Sequence, residues 1–109
     1  MIDLIGIQRE RGDWQKENFH YDKNATKLMC ALGVSEEAGE LAHAVLKHVQ
    51  NIRGFSDIAV ARERVKDAIG DIVIYAMGVC DQFELDIEDC VFDTWNDVIK
   101  KRDWNKIKD

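Results

Sequence analysis

The chain has 109 residues, of which 46% are hydrophobic and 33% charged, and its formal net charge is −6. That length fits a single domain over residues 1–109, and the composition is too apolar for intrinsic disorder. The negative balance argues against a protein that coats nucleic-acid polymers, which needs a basic face against the phosphates. A small anionic ligand stays open if metal ions or a local basic cluster supply positive charge.

Proline is absent, so helices can run long without interruption and the punctuation of a loop-rich β fold is missing. The three cysteines, Cys30, Cys80 and Cys90, are odd in number and form no Cys-x-x-Cys. Reduced thiols in a cytoplasmic protein are the simple expectation, and a zinc site has no compact Cys/His ligand set. The first residues lack the basic and apolar regions of a signal peptide, and no apolar run approaches bilayer length. No membrane partner is expected.

Hydrophobic spacing predicts four helices. The first covers about Ile2 to Asn18, with Leu4, Ile5 and Ile7 as a weak apolar group. The second covers about Ala25 to Gln50, with a stripe through Leu28, Ala31, Val34, Ala38, Leu41, Ala42, Val45 and Val49, ended near Gly54. The third starts at Ser56 or Asp57, both suitable N-caps, and runs to about Phe83; its stripe is Val65, Ile69, Ile72, Val73, Ala76, Val79, Cys80 and Phe83. The fourth is capped by Asp86 and carries Ile87, Val91, Trp95, Val98 and Trp104. Trp14, Phe19, Trp95 and Trp104 are expected as core or interface anchors. Short links between long amphipathic helices imply an all-α antiparallel bundle of about four helices. The two central stripes are too wide for one short chain to cover, so a homo-oligomer is expected to complete the bundle.

The second helix carries Glu36, Glu37 and Glu40 at spacings that share a surface, and the third carries Glu63, Asp67 and Asp71, each four apart. Two such rows facing each other would form an oxygen-rich cage suited to Mg²⁺ or Mn²⁺. Like charges at these spacings repel, and a dication reverses the sign. The same rows are equally the solvated faces of amphipathic helices, with Lys47 and Lys66 as ordinary salt-bridge partners. Asp71 tips the balance, because it sits in Ala-Ile-Gly-Asp-Ile-Val-Ile-Tyr, where a buried or half-buried carboxylate needs a partner. Gly70 and Gly39 beside the acids suggest close packing or ligand approach. Phosphate-binding glycine loops and the serine hydrolase elbow are absent.

The segments Val34-Ser-Glu-Glu-Ala-Gly-Glu-Leu-Ala-His-Ala-Val-Leu-Lys47 and Val65-Lys-Asp-Ala-Ile-Gly-Asp-Ile-Val-Ile-Tyr75 resemble the MazG-like all-α nucleoside triphosphate pyrophosphohydrolases. The likeness covers about Leu28 to Trp104, and that family's pattern is Glu-Glu-x-x-Glu followed by Glu-x-x-Asp. Glu36, Glu37 and Glu40 match the first half and Asp71 the closing Asp. The family's second-half Glu is Ala68 here, and Asp67, one residue earlier, stands in for it with a shorter reach. The resemblance implies Mg²⁺ held by Glu37, Glu40, Asp67 and Asp71, water attack at the α-phosphorus of an NTP or dNTP, and release of pyrophosphate. It also implies catalytic roles for Glu36, Glu37 and Lys47, phosphate contacts from Lys47, Arg53, Asn96, Lys100 and Arg102, and a homodimer or homotetramer with sites near subunit contacts.

Two rivals stand beside this. One is a non-enzymatic helical scaffold or partner-binding module. The other is a phosphotransfer bundle using His43 near Lys47, which leaves the carboxylate rows unexplained.

Overall fold

The computed structural model describes residues 3–19 and 23–103, excepting the side chains of 23–27. Four helices follow in order: α1 (Leu4–Asn18), α2 (Lys23–Gln50), α3 (Ile58–Gln82) and α4 (Ile87–Asp93), the last continuing as a π-helical stretch over Thr94–Ile99. No strand occurs among the described residues. The expected all-α architecture is present; residues Ile2 and Trp104 lie outside the described residues.

Side-chain caps set the helix starts. Asp3 accepts the Gly6 amide at 3.0 Å, Asp57 that of Ala59 at 2.8 Å and Asp86 that of Glu88 at 2.7 Å. Each satisfies one of the free N–H groups of a first turn. The helix ends use left-handed residues. At the end of α2 the turn falls on Asn51 (φ 60°), and Ile52 N–H reaches back to Lys47 C=O at 3.2 Å while Asn51 N–H bonds His48 C=O at 3.1 Å. That is a Schellman closure with Asn in the glycine position, so α2 ends at Gln50 as expected, with Asn51 and not Gly54 as the stop. Glu84 (φ 55°) does the same for α3, with Leu85 N–H on Cys80 C=O at 2.8 Å.

The α2–α3 pair forms the spine of the fold, joined by a seam of small residues. A Cβ on Gly33 would overlap the Tyr75 ring, and one on Gly78 would meet Cys30 Sγ and the Arg11 guanidinium. Ala44, Ala61 and Ala68 are buried along the same seam. One antiparallel register therefore sets Cys30 opposite Gly78 and Gly33 opposite Tyr75. The predicted stripes are met in part: Val73, Ala76 and Cys80 of α3 pack in the core. Leu28, Val45 and Val49 of α2, and Ile69 and Phe83 of α3, are exposed. Small residues win the contact face because they let two long backbones approach, whereas the larger side chains point outward. Trp14, Phe19 and Trp95 are likewise exposed, not core.

The apolar core sits at one end, where Met77, Cys80 and Ile87 are packed by Leu4, Ile7, Val73, Ala76 and Cys90. Gln8 locks this end. Its Nε2 donates to Asp81 Oδ1 at 2.8 Å and Leu85 C=O at 2.9 Å, and its Oε1 accepts the Ile87 amide at 2.8 Å. One buried amide thus ties α1 to the end of α3 and the start of α4.

Candidate metal centre

At the other end of the α2–α3 pair, the seam opens into a cavity of about 480 Å³ lined by Glu37, Glu40, His43, Ala44, Phe55, Arg64, Asp67, Ala68 and Asp71. The four carboxylates expected as metal ligands, Glu37, Glu40, Asp67 and Asp71, therefore share one space. The seam register explains it: continued from Gly33 and Tyr75 by one turn, it sets Glu37 opposite Asp71. The two carboxyls are near enough there for the charge of Asp71 to act on Glu37. Ala68 is buried under the cavity, while Asp67 is exposed beside it.

Glu37, not Asp71, is the half-buried acid; Asp71 is exposed, contrary to the reading of its apolar sequence neighbours. Asp71 lines both the cavity and the neighbouring chamber, which leave it open to solvent, whereas Glu37 is partly covered. The Glu37 carboxyl is held above its ordinary value, first by burial and then by the charges of Asp71, Glu36 and Glu40, with the Asp71 contact adding to the effect. Burial and neighbouring negative charge both disfavour the anion. The pair is stabilised by whatever brings positive charge between its oxygens, a proton or a cation.

The donor set fits a hard dication, being all carboxylate oxygen from two rigid helices. The register sets Glu37 and Asp71 opposite each other. Among the described residues no three or more His, Cys, Asp or Glu side chains are gathered in ion-holding geometry. Glu40 and Asp67 reach the same cavity on side chains whose rotamers exchange rapidly when exposed.

Gly39 and Gly70 do not answer to close packing, since a Cβ at either meets nothing within 4 Å. Glu36 lies at the border, lining a smaller opening with Gly39, Glu40 and His43. The expected basic residues sit elsewhere. Lys47 bonds Gln50 Oε1 at 3.1 Å, and Arg53 is exposed in the α2–α3 loop with φ 55°. Lys100 bonds Asn96 Oδ1 at 2.7 Å and Arg102 is exposed, both beyond α4 and not lining the cavity.

Two residues in the cavity escaped the sequence reading in this role, Arg64 and Phe55. Helix rotation could have found Arg64. Glu63, eight residues before Asp71, lies about 80° round the helix from it, whereas Arg64, seven before, lies about 20° away. Counting only the rows of four kept the wrong one. Phe55 is placed by the loop, where His48 Nδ1 lies 2.6 Å from the Phe55 carbonyl oxygen and the His43 and Phe55 rings meet edge-on at 5.8 Å.

A second chamber of about 470 Å³ adjoins the cavity at Asp71. Its walls include Trp14 and Phe19 beyond α2, Tyr75 on α3, and Arg11 and Glu36. Trp14 and Phe19 themselves meet edge-on at 5.4 Å. Three aromatic rings beside a carboxylate cluster make a mixed site: flat apolar surface on one side of Asp71, oxygen ligands on the other.

Compared with protein-family models, with curated proteins and with solved structures, the chain matches none.

Proposed function

We propose that the chain is a Mg²⁺-dependent nucleoside triphosphate pyrophosphohydrolase of the MazG-like all-α kind, releasing pyrophosphate and leaving a nucleoside monophosphate. One observation carries the reading: Glu37, Glu40, Asp67 and Asp71, from two helices, line one cavity that shares Asp71 with an aromatic chamber. Those four residues would hold Mg²⁺ or Mn²⁺. Such an ion supplies the positive charge that admits phosphate and acidifies a water for attack on the α-phosphorus. Trp14, Phe19 and Tyr75 offer π-faces against which a nucleobase stacks. Glu36, which lines the aromatic chamber and the smaller opening beside Glu40, orients the attacking water. Lys47, on α2, and Arg53, in the α2–α3 loop, do not line the cavity, so a phosphate contact needs a new side-chain rotamer at Lys47 and movement of the loop at Arg53. Asn96, Lys100 and Arg102 are assigned to a neighbouring subunit's site.

A homodimer or homotetramer belongs to this reading. The accessible surface of 8618 Å² exceeds the roughly 6,200 Å² usual for a monomer of 12.5 kDa. The radius of gyration of 17.1 Å exceeds the roughly 13 Å of a closed domain this size. Both support burial of the exposed α2 and α3 side chains against another copy. The free thiols of Cys30, Cys80 and Cys90 support a cytoplasmic setting, and no helix among the described residues is long and apolar enough to cross a membrane.

The exposed apolar faces, with no group of three or more ligating side chains gathered among the described residues, also favour a partner-binding helical scaffold as the second reading. One assay separates them. The protein is incubated with Mg²⁺ and a panel of ordinary and damaged nucleoside triphosphates, and pyrophosphate is measured. The hydrolase releases it from at least one nucleotide, and a scaffold from none.

A further inference from the structure

The four carboxylates leave open what receives the anionic end of the substrate. The basic side chains lining the cavity are His43 and Arg64, whereas Lys47 and Lys100 are bonded to Gln50 and Asn96 away from it. We infer that Arg64 binds the terminal phosphates of the triphosphate, and hence the pyrophosphate that leaves; this rests on the hydrolase reading above.

Three features converge on Arg64. The first is its direction. It shares the face of α3 with Asp67 and Asp71, as its place in the cavity lining shows. The second is room. The seam register that pairs Glu37 with Asp71 sets Arg64 opposite Ala44, a buried residue whose methyl group leaves the space above the guanidinium open. Arg62, two residues earlier, points instead into an apolar groove with Val45, Ile58 and Ile69.

The third is order along the helix. Tyr75 lines the aromatic chamber, Asp71 lines both spaces, and Arg64 lies beyond Asp71 on the side away from the chamber. From Tyr75 to Arg64 the helix rises about 16 Å, and from Asp71 to Arg64 about 10 Å. A nucleotide with its base against Tyr75 and its α-phosphate near Asp71 therefore extends its β- and γ-phosphates toward Arg64. Guanidinium is the side chain suited to that end, because its fork pairs two phosphate oxygens at once and stays charged at any working pH. In the empty cavity the same charge offsets the carboxylates, so Arg64 competes with a dication until phosphate draws it away.

The test uses the full-length protein and its R64Q and R64K variants. Mn²⁺ binding is followed by electron paramagnetic resonance without phosphate. Pyrophosphate and nucleoside monophosphate binding are then measured by calorimetry with Mg²⁺ present. The expected result is that R64Q weakens pyrophosphate about tenfold or more, the loss of one charge-assisted pair. R64K recovers part of that, keeping the charge but not the fork. Monophosphate affinity stays within about twofold, and Mn²⁺ binds R64Q as tightly as the wild type or more tightly, since a repelling charge is gone. Arg64 is exposed, so the fold survives the change, and circular dichroism checks it. Wild-type pyrophosphate affinity in R64Q, or an equal loss of monophosphate and pyrophosphate, overturns the assignment while leaving the hydrolase reading intact. A wild-type protein that binds neither Mn²⁺ nor pyrophosphate removes that reading, and the assignment with it.

Discussion

Glu37 on α2 faces Asp71 on α3 across a helix seam built mainly of Gly, Ala and Cys, and both line the cavity that opens there. Two acids set opposite each other on two long helices oppose folding unless something positive joins them. The seam tolerates this because packing at both of its ends holds the register.

The first prediction concerns that opposition. Because the Glu37 carboxyl is raised above 4.5 in the folded chain, the folded state holds its proton more firmly than the unfolded state. Stability is then fullest below that ordinary value and falls as pH rises through the raised one. Thermal melts in chelator between pH 4 and 8 should show that fall, and Glu37→Gln should flatten it and melt higher at neutral pH. Added Mg²⁺ should raise the wild-type midpoint and leave the variant nearly unmoved. A variant that melts below the wild type at neutral pH would contradict the electrostatic account.

Glu40→Gln and Asp71→Asn each remove a carboxylate oxygen from the cavity. Even partners outside the ligand shell commonly cost 10–100-fold in metal sites, so kcat/KM for pyrophosphate release should drop more than about a hundredfold. Both variants should keep the wild-type helical circular dichroism, because neither residue is buried. Near-wild-type turnover in both would remove the carboxylates from the reaction.

Gln8 tests the opposite end. Gln8→Leu breaks three hydrogen bonds and leaves the Ile87 amide without its acceptor. At about 1 kcal/mol for each, urea unfolding should show a loss of roughly 3 kcal/mol. The substrate KM of the folded variant should be unchanged, since Gln8 touches neither the cavity nor the chamber.

Gly33 sits under Tyr75. Alanine there gains about 1 kcal/mol of helix propensity but drives its methyl into the ring, and overpacking costs about 1–3 kcal/mol. Gly33→Ala should therefore be destabilised by roughly 1 kcal/mol in urea unfolding. With the ring displaced from the chamber wall, KM for the nucleotide should rise more than kcat falls. A variant more stable than wild type would show that Tyr75 moves freely.

The thiols report on the core. Cys80 Sγ lies 4.0 Å from Cys90 Sγ, and burial, helped by Cys90, pushes the Cys80 thiol up to about 11. A thiol needs its anion to react. At pH 8, iodoacetamide followed by mass spectrometry should label half-buried Cys90 first, and Cys80 only after denaturation. Stability tied to Cys80 is complete below 9, its unshifted value, and declines as pH climbs toward 11.

Helix content and helix starts were legible in the sequence because both are local. Apolar spacing announces a helix, and Asp57 and Asp86 announce caps through bonds to amides two residues away. The ends of α2 and α3 were legible to within a residue, at Gln50 and near Phe83, although the left-handed Asn51 and Glu84 that close them were not. The burial pattern was misread in part. Periodicity finds the bulky side of a helix, and α2 and α3 pack by their small side, leaving Leu28, Val45 and Ile69 exposed.

The identity and helix placement of Glu37, Glu40, Asp67 and Asp71 came from the sequence alone, because residues three and four apart on one helix share a surface whatever the fold. Which acid of α2 opposes which of α3 did not. Opposition depends on the register of two helices, and that register is set by Gly33 under Tyr75 and by Gly78 under Cys30 and Arg11, contacts between residues over forty positions apart. The same register brought Arg64 into the cavity in place of Glu63, joined the chamber to it at Asp71, and left Lys47 and Lys100 outside. Spacing along one helix is a property of the chain; the meeting of two helices is decided by steric fit across the space between them.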